Sequence, residues 1–392
     1  MSKINDLIKE LCPNGVRKYE IKDICKVTRG RVISKMELND NAGDYPVYSS
    51  QTLNNGVFGK INTYDFEGEY VQWTTDGANA GSIFYRNGKF SVTNVCGLLK
   101  IKDEYLEKIK TNYLAYALTM ETKKYVNYAT SNPKLMSNVM EKITVLIPSI
   151  VVQEEIVRIL DKFGELEAEL EAELEARKRQ YEFWRGKLLK NSKDKVKFGD
   201  VATIVRGASP RPIQNFITDD ENGIPWIKIG DTNPNDKYVF TTKEKITVEG
   251  SKKSRFVKAG NFILSNSMSF GRPYILKIDG CIHDGWLSIS NFENTYIPDF
   301  LYHLLSSKPI QNIMSMKASI GTVKNLNADI VKSIELPLYT KNEQEKIVKI
   351  LDKFEELTND LTVGLPAEIE LRRKQYEYYR NKLLSFEEQE YE

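Results

Sequence analysis

The feature that most constrains this chain is that its second half repeats its first. QEEIVRILDKF, beginning at Gln153, returns as QEKIVKILDKF from Gln344, displaced by 191 residues with nine of eleven positions identical. RKRQYEFWRGKLL from Arg177 returns as RRKQYEYYRNKLL from Arg372, displaced by 195, so the second copy holds four more residues between its blocks. Two blocks matched in the same order mean a tandem duplication. Fainter echoes join the stretches between them: IKDICKVTRG (21–30) with FGDVATIVRG (198–207), YPVY (45–48) with IPWI (224–227), and SNPKLM (131–136) with GTVKNL (321–326). The repeated unit is a globule followed by a helical block. Shared positions read as scaffold, and divergent loops as the place where the copies do different jobs.

The 392 residues allow two or three domains at about 150 residues each, enough for real cores. The formal net charge of +2 hides an alternation. Residues 1–150 carry 20 basic and 16 acidic side chains and 191–340 carry 19 and 15, whereas 151–190 carry 8 and 10 and 341–392 carry 9 and 13. Two mildly basic, anion-facing globules therefore alternate with two solvated acidic segments, the last ending in a C-terminal tail. Cys12, Cys25, Cys96 and Cys281 form no C-x-x-C pair, so the pattern suggests neither a disulfide framework nor a zinc site. No apolar run approaches the roughly 18 residues of a membrane span, and the amphipathic start is not a signal peptide. The expectation is a soluble, cytoplasmic protein with no membrane partner.

Within each globule, short β-like runs (70–73, 82–85, 261–264, 273–278) alternate with Gly, Asn and Asp turns, and helices are expected near 105–127 and 298–316. That reads as a strand-rich α+β domain, with a short helical segment at the N-terminus of the first. From 151 to 190, Ile156, Leu160, Phe163, Leu166, Leu170, Leu174, Tyr181, Trp184 and Leu188 recur three or four apart without a proline, which predicts a rod of about 60 Å. Its narrow apolar stripe needs a partner helix. The second copy offers one, interrupted by Gly364 and Pro366, where a break should absorb the four extra residues. Residues 165–176 are three copies of ELEA. They are either replication slippage in a tolerant helix or a ruler, each unit adding about 6 Å and about 40° of rotation.

The duplicated layout, the paired helical blocks, the ELEA units and the N-terminal LIKELCPNGV together resemble the specificity subunit of type I restriction-modification systems, over essentially the whole chain. The resemblance implies two tandem target recognition domains (16–148 and 195–337), each reading half of a split double-stranded DNA site. It also implies two long helices (151–190 and 341–385) packed as an antiparallel coiled-coil spacer. Two methyltransferase subunits would dock on the conserved regions and restriction or translocase subunits would complete the complex. S-adenosylmethionine, ATP and Mg would then belong to partner subunits and no cofactor to this chain.

The residues themselves carry no catalytic constellation. There is no G-x-x-x-x-G-K-[ST] loop, no Asp-Pro-Pro-Tyr or Asn-Pro-Pro-Tyr/Phe motif, and no Glu-x-Lys after Pro298-Asp299. His283 in CIHDGW reads as a polar loop contact and His303 in LYHLL as helix packing. The expectation is a chain that binds and positions while other chains do chemistry. The preferred base readers are Arg or Lys for guanine and Asn or Gln for adenine, while Lys and Arg also hold phosphates. In the first globule those types gather at Arg29, Arg31 and Lys35, at Ser49, Ser50, Gln51, Asn54 and Asn55, at Thr75, Asp76 and Asn79, and at Ser131, Asn132 and Lys134. The second offers Arg206, Ser209 and Arg211, then Lys228, Asp231, Thr232 and Asn233, then Asn266, Ser267 and Arg272, and finally Thr322, Lys324 and Asn325. Trp73 and Trp226 read as core. The competing reading is a coiled-coil adaptor whose globules bind proteins.

Overall fold

The computed structural model describes residues 2–129, 131–190, 192–233, 236–266, 271–318, 326–360 and 362–389. The chain divides into two units, one formed by residues 1–169 with 370–392 and the other by 170–369. The fold is α+β, with a strand-rich region in each unit.

In the first unit, alternating apolar runs build a four-stranded antiparallel sheet in the order Cys25–Arg29, Cys96–Ile101, Tyr70–Thr74, Ile83–Arg86. A second sheet orders Val57–Ile61, Ala42–Tyr48, Lys89–Val92 and Phe66–Glu67, its middle pair parallel. Tyr70–Thr74 is buried along its whole length, as expected of a strand covered on both faces. Trp73 donates its indole N–H to the Leu135 carbonyl at 3.0 Å, which satisfies its one polar atom inside the core. Only glycine fits at Gly97, because a Cβ there would run into the Trp73 ring. The helix Thr111–Glu121 packs on this sheet.

The second unit repeats the plan. Thr203–Arg206, Trp286–Ser290, Phe262–Ser265 and Pro273–Leu276 follow the order of the first sheet, with Tyr238–Val239 added at the edge. Ile224–Ile227 lies parallel to Gly280–Ile282 as Ala42–Tyr48 lies parallel to Lys89–Val92. The equivalence extends to single hydrogen bonds: Leu135 N–H reaches Thr75 O and Leu326 N–H reaches Asn266 O, both at 2.9–3.0 Å. This pairs Leu135 with Leu326, one residue out of register with the pairing of SNPKLM and GTVKNL.

The first helical block is one helix, Ile150–Lys190, running through all three ELEA units from the first unit into the second. The second block is two helices, Lys341–Asn359 and Leu365–Leu383. The expected break lies at Gly364, where a Cβ would strike the Glu356 carbonyl, and Asp360 caps the turn by accepting Thr362 N–H at 2.6 Å. The helices run antiparallel within each unit. In the first, Phe163 packs on Tyr379 with ring centroids 5.5 Å apart, and Glu167 pairs with Arg373 at 2.6 Å, so rising numbers meet falling ones. In the second, Tyr181 stacks on Phe354 at 6.0 Å while Leu188 O accepts from Tyr339 at 2.8 Å.

The repeated blocks begin with glutamine for a structural reason. Gln153 is fully buried: its Oε1 accepts Lys110 N–H at 2.9 Å and its Nε2 donates to Lys108 O and Pro148 O at 2.7 and 2.8 Å. Gln344 does the same for Ile297 N–H, Thr295 O and Tyr339 O. One amide thus staples each globule to the start of its helix. A second link follows eight residues further along each of these helices: Tyr116 donates to Asp161 at 2.6 Å, and at the equivalent place His303 Nε2 meets Asp352 at 2.7 Å. His303 is thus more than packing. The unit 1 core also receives the end of the chain. Leu383 is buried in it, Val16 N–H donates to Glu387 O at 2.9 Å, and Lys18 pairs with Glu388 at 2.7 Å.

Candidate nucleic-acid interface

Arg29 and Arg206 each end the first strand of the main sheet, and each is followed by a glycine whose missing Cβ lets the chain pass against a neighbouring loop. Arg29 Nη2 donates to Asn94 O at 2.6 Å, and Arg206 Nε donates to Asp284 O at 3.0 Å. Gly30 N–H reaches Cys96 O and Gly207 N–H reaches Trp286 O, so residues 94 and 284 are equivalent. Each arginine is anchored at the same point of the frame.

Around Arg29 the predicted loops converge. Its Nη2 also contacts Thr75 Oγ1 at 3.1 Å and lies 3.7 Å from Asp76, which lies 3.7 Å from Lys134. Thr75 donates to Asp76 at 2.6 Å. Asn79 donates to Ser50 O at 3.0 Å, and Ser49 Oγ accepts from Thr93 at 3.2 Å. Gln51 donates to Val57 O, and Asn54 and Asn55 both hold the left-handed conformation with φ of 50°. Ser131 and Asn132 are exposed on the adjoining turn, and Lys35 is exposed at the start of the helix Lys35–Asp40. Arg31 lies between Glu37 at 2.6 Å and Asp65 at 3.1 Å, and chiefly the Glu37 bond raises its pKa.

In the second unit the centre is Asp284. Its carboxylate accepts Ser209 Oγ at 2.8 Å and lies 3.8 Å from Arg211 and 4.0 Å from Arg206. The Ser209 bond is the main reason its pKa is held below the usual carboxylate value. Asn266, buried, donates to Asp284 O at 2.8 Å. Asp231 accepts Lys228 N–H at 2.8 Å and Lys243 N–H at 3.2 Å, Thr232 donates to Ile229 O, and Asn233 donates to Asp236; these side chains shape their own turn. Lys228 pairs with Glu244, and Arg272 is half-buried after Gly271. His283 Nδ1 accepts Gly285 N–H at 2.6 Å and its Nε2 lies 3.3 Å from Ile229 N, a turn contact; burial lowers its pKa. Ser267, Thr322, Lys324 and Asn325 lie outside the described residues.

His303, Asp352 and Glu355 could offer three ligands to a cation, their donor atoms within 4.8 Å of one another. Lys237, whose ammonium lies 3.7 Å from Asp352 and 2.7 Å from Asp299, already supplies positive charge there. Among the described residues no helix is long and apolar enough to cross a membrane.

The family model of the type I restriction modification DNA specificity domain matches this chain twice, over residues 13–176 and 191–371. The chain belongs to that family. As a type I specificity subunit it recognises the target site within a methyltransferase and restriction complex and is itself non-catalytic. It is 32% identical over 385 residues to a Mycoplasma pneumoniae protein described as a type I specificity subunit, covering 95% of this chain and 98% of the relative. Its fold resembles the crystal structure of a type I S subunit from M. genitalium, with a TM-score of 0.54 and 14% identity, covering 94% of this chain and 96% of that one. A chain from a study of type I assembly and conformational transition gives a TM-score of 0.61 at 14% identity, covering 95% and 98%.

Three residues of this specificity subunit's loop clusters escape sequence reasoning. Asp284 sits in CIHDGW, and only the matching hydrogen bonds of Gly30 to Cys96 and Gly207 to Trp286 put it opposite Asn94. Gln72 and Arg86 sit on strands, with no loop signal at all. Arg86 is 2% exposed, and burial pulls its pKa down to about 10, so it stays charged at neutral pH.

Proposed function

We propose that each strand-rich globule reads one half of a split, asymmetric site in double-stranded DNA, and that the repeated helical blocks seat two methyltransferase subunits to which restriction or translocase subunits add. The observation that carries this reading is a common frame with unlike tips. Arg29 and Arg206 end on equivalent carbonyls, yet Thr75 is matched by Asn266 and Asn94 by Asp284. Two identical readers would select a repeated sequence; two different ones on one frame select two unlike half-sites. Residues 1–150 and 191–340 are then the readers, and 151–190 with 341–392 the shared spacer and docking segments. S-adenosylmethionine, ATP and Mg act on the partner subunits, and the complex works on DNA in the cytoplasm.

The test is to co-purify the chain with its methyltransferase, map methylated adenines genome-wide, and then exchange residues 16–148 for those of a relative. One half of a split site should change and the other stay. A single continuous palindrome refutes the reading.

A further inference from the structure

The first globule buries an arginine that has no carboxylate partner among the described residues. Arg86 Nε donates to Gln72 Oε1 at 2.7 Å, Nη1 to Asn55 Oδ1 at 3.0 Å and Nη2 to Asn55 O at 2.9 Å. The guanidinium lies over the Tyr48 ring at 3.7 Å and the Phe84 ring at 4.6 Å. Burying a charge without a counter-ion is costly, and such a group persists when its donors organise something. Here they organise the loop 49–57. Two donors fix Asn55 in its left-handed turn, and Gln72, held by the third, reaches back to Ser49 O at 3.4 Å at the other stem. Gly56, at φ 78°, leaves room for the guanidinium beneath. Ser49 N–H closes the loop on Gly56 O at 3.0 Å.

What this framework holds outward is Leu53, 82% exposed, beside the exposed Asn54. An apolar side chain fits the thymine methyl in the major groove, and an asparagine fits the adenine edge of the same pair. We propose that loop 49–57 is a preset tip that reads an A·T pair in the first half-site, with Leu53 against the thymine methyl, Asn54 toward the adenine, and Arg86 as the positioning residue. This rests on the reading of the first globule as a half-site reader.

The probes are duplexes of the mapped site with thymine replaced by uracil, one position at a time, bound by the full chain assembled with its methyltransferase. Uracil removes the methyl and nothing else. At one position of the first half-site the wild-type complex should bind uracil about fourfold more weakly, the value of one buried methyl-sized group. Leu53→Ala, which touches no core, should bind both duplexes alike. Arg86→Lys keeps the charge but loses the fork, and should also lose the ratio while uracil effects in the second half-site persist. A merely structural role for Arg86 would weaken thymine and uracil duplexes together and preserve the ratio. The proposal is overturned by a first half-site without an A·T pair, by the absence of any uracil effect that Leu53→Ala removes, or by a ratio retained in Arg86→Lys. A first half-site unmoved by exchange of residues 16–148 overturns the half-site reading as well.

Discussion

Replacing Gln153 by leucine keeps the volume and removes the staple. Three backbone groups lose their partner: Lys110 N–H, Lys108 O and Pro148 O, at 2.9, 2.7 and 2.8 Å from the amide. A buried polar group left unsatisfied costs about 1–3 kcal/mol, and a carbonyl with a second lone pair sits at the low end. One orphaned donor and two orphaned acceptors, offset by the apolar gain of leucine, come to about 3 kcal/mol. For a unit of this size that lowers the melting temperature by about 6–12 °C. Gln344→Leu should cost as much through Ile297 N–H, Thr295 O and Tyr339 O, but in the other unit. Hydrogen exchange read by mass spectrometry separates the two, since protection at the Lys110 amide should fall in one variant and at the Ile297 amide in the other. A Gln153→Leu protein within about 1 kcal/mol of wild type, with Lys110 still protected, would show that these bonds are incidental.

At the second link, His303→Tyr should be tolerated, because tyrosine already makes the equivalent bond at Tyr116, whereas His303→Phe strands the Asp352 contact and should cost about 1–3 kcal/mol in urea unfolding; equal stabilities contradict this. Ser209→Ala should raise the Asp284 titration, followed by carbon-13 NMR of its carboxyl. Because the folded pKa is depressed, the stabilisation it reports is present above the ordinary carboxylate value and is lost as the pH falls through the folded one. An unmoved titration means serine is not the cause. Deleting residues 169–172 shortens the helix Ile150–Lys190 by about 6 Å with about 40° of rotation, so mapped methylation should keep both half-sites and shorten the gap between them. An unchanged gap makes the repeat slippage only.

The duplication, the α+β character and the helix break could be read from the chain because each is written locally: matched blocks, alternating apolar runs, and Gly364 with Pro366. The loops bearing Arg29, Ser49, Thr75 and Lys134 could be read too, since turn residues mark them, and the structure brings them together. What could not be read depends on partners far away in sequence. Gln153 works through backbone atoms more than forty residues upstream, which no side-chain pattern records. Arg86, in FYRNGK, looks like the exposed end of a hairpin. Its burial follows from Gln72 and Asn55, brought beside it by sheet register and a left-handed turn. Asp231 and Thr232 have the residue types of base readers, but their side chains close the turn that carries them.

The stitching of Val16 and Lys18 to Glu387 and Glu388, with Leu383 in the same core, sets an order of events on the ribosome. The unit formed by residues 170–369 is one continuous stretch and can close as soon as it has emerged. The unit formed by residues 1–169 with 370–392 has its first part synthesised first, yet lacks part of its core and the partners of Val16 and Lys18 until residues 383–388 follow, tens of seconds later at about 5–20 residues per second. The unit begun earlier is thus the later to be finished, and a nascent chain cut short anywhere before Leu383 carries a first globule with an open seam.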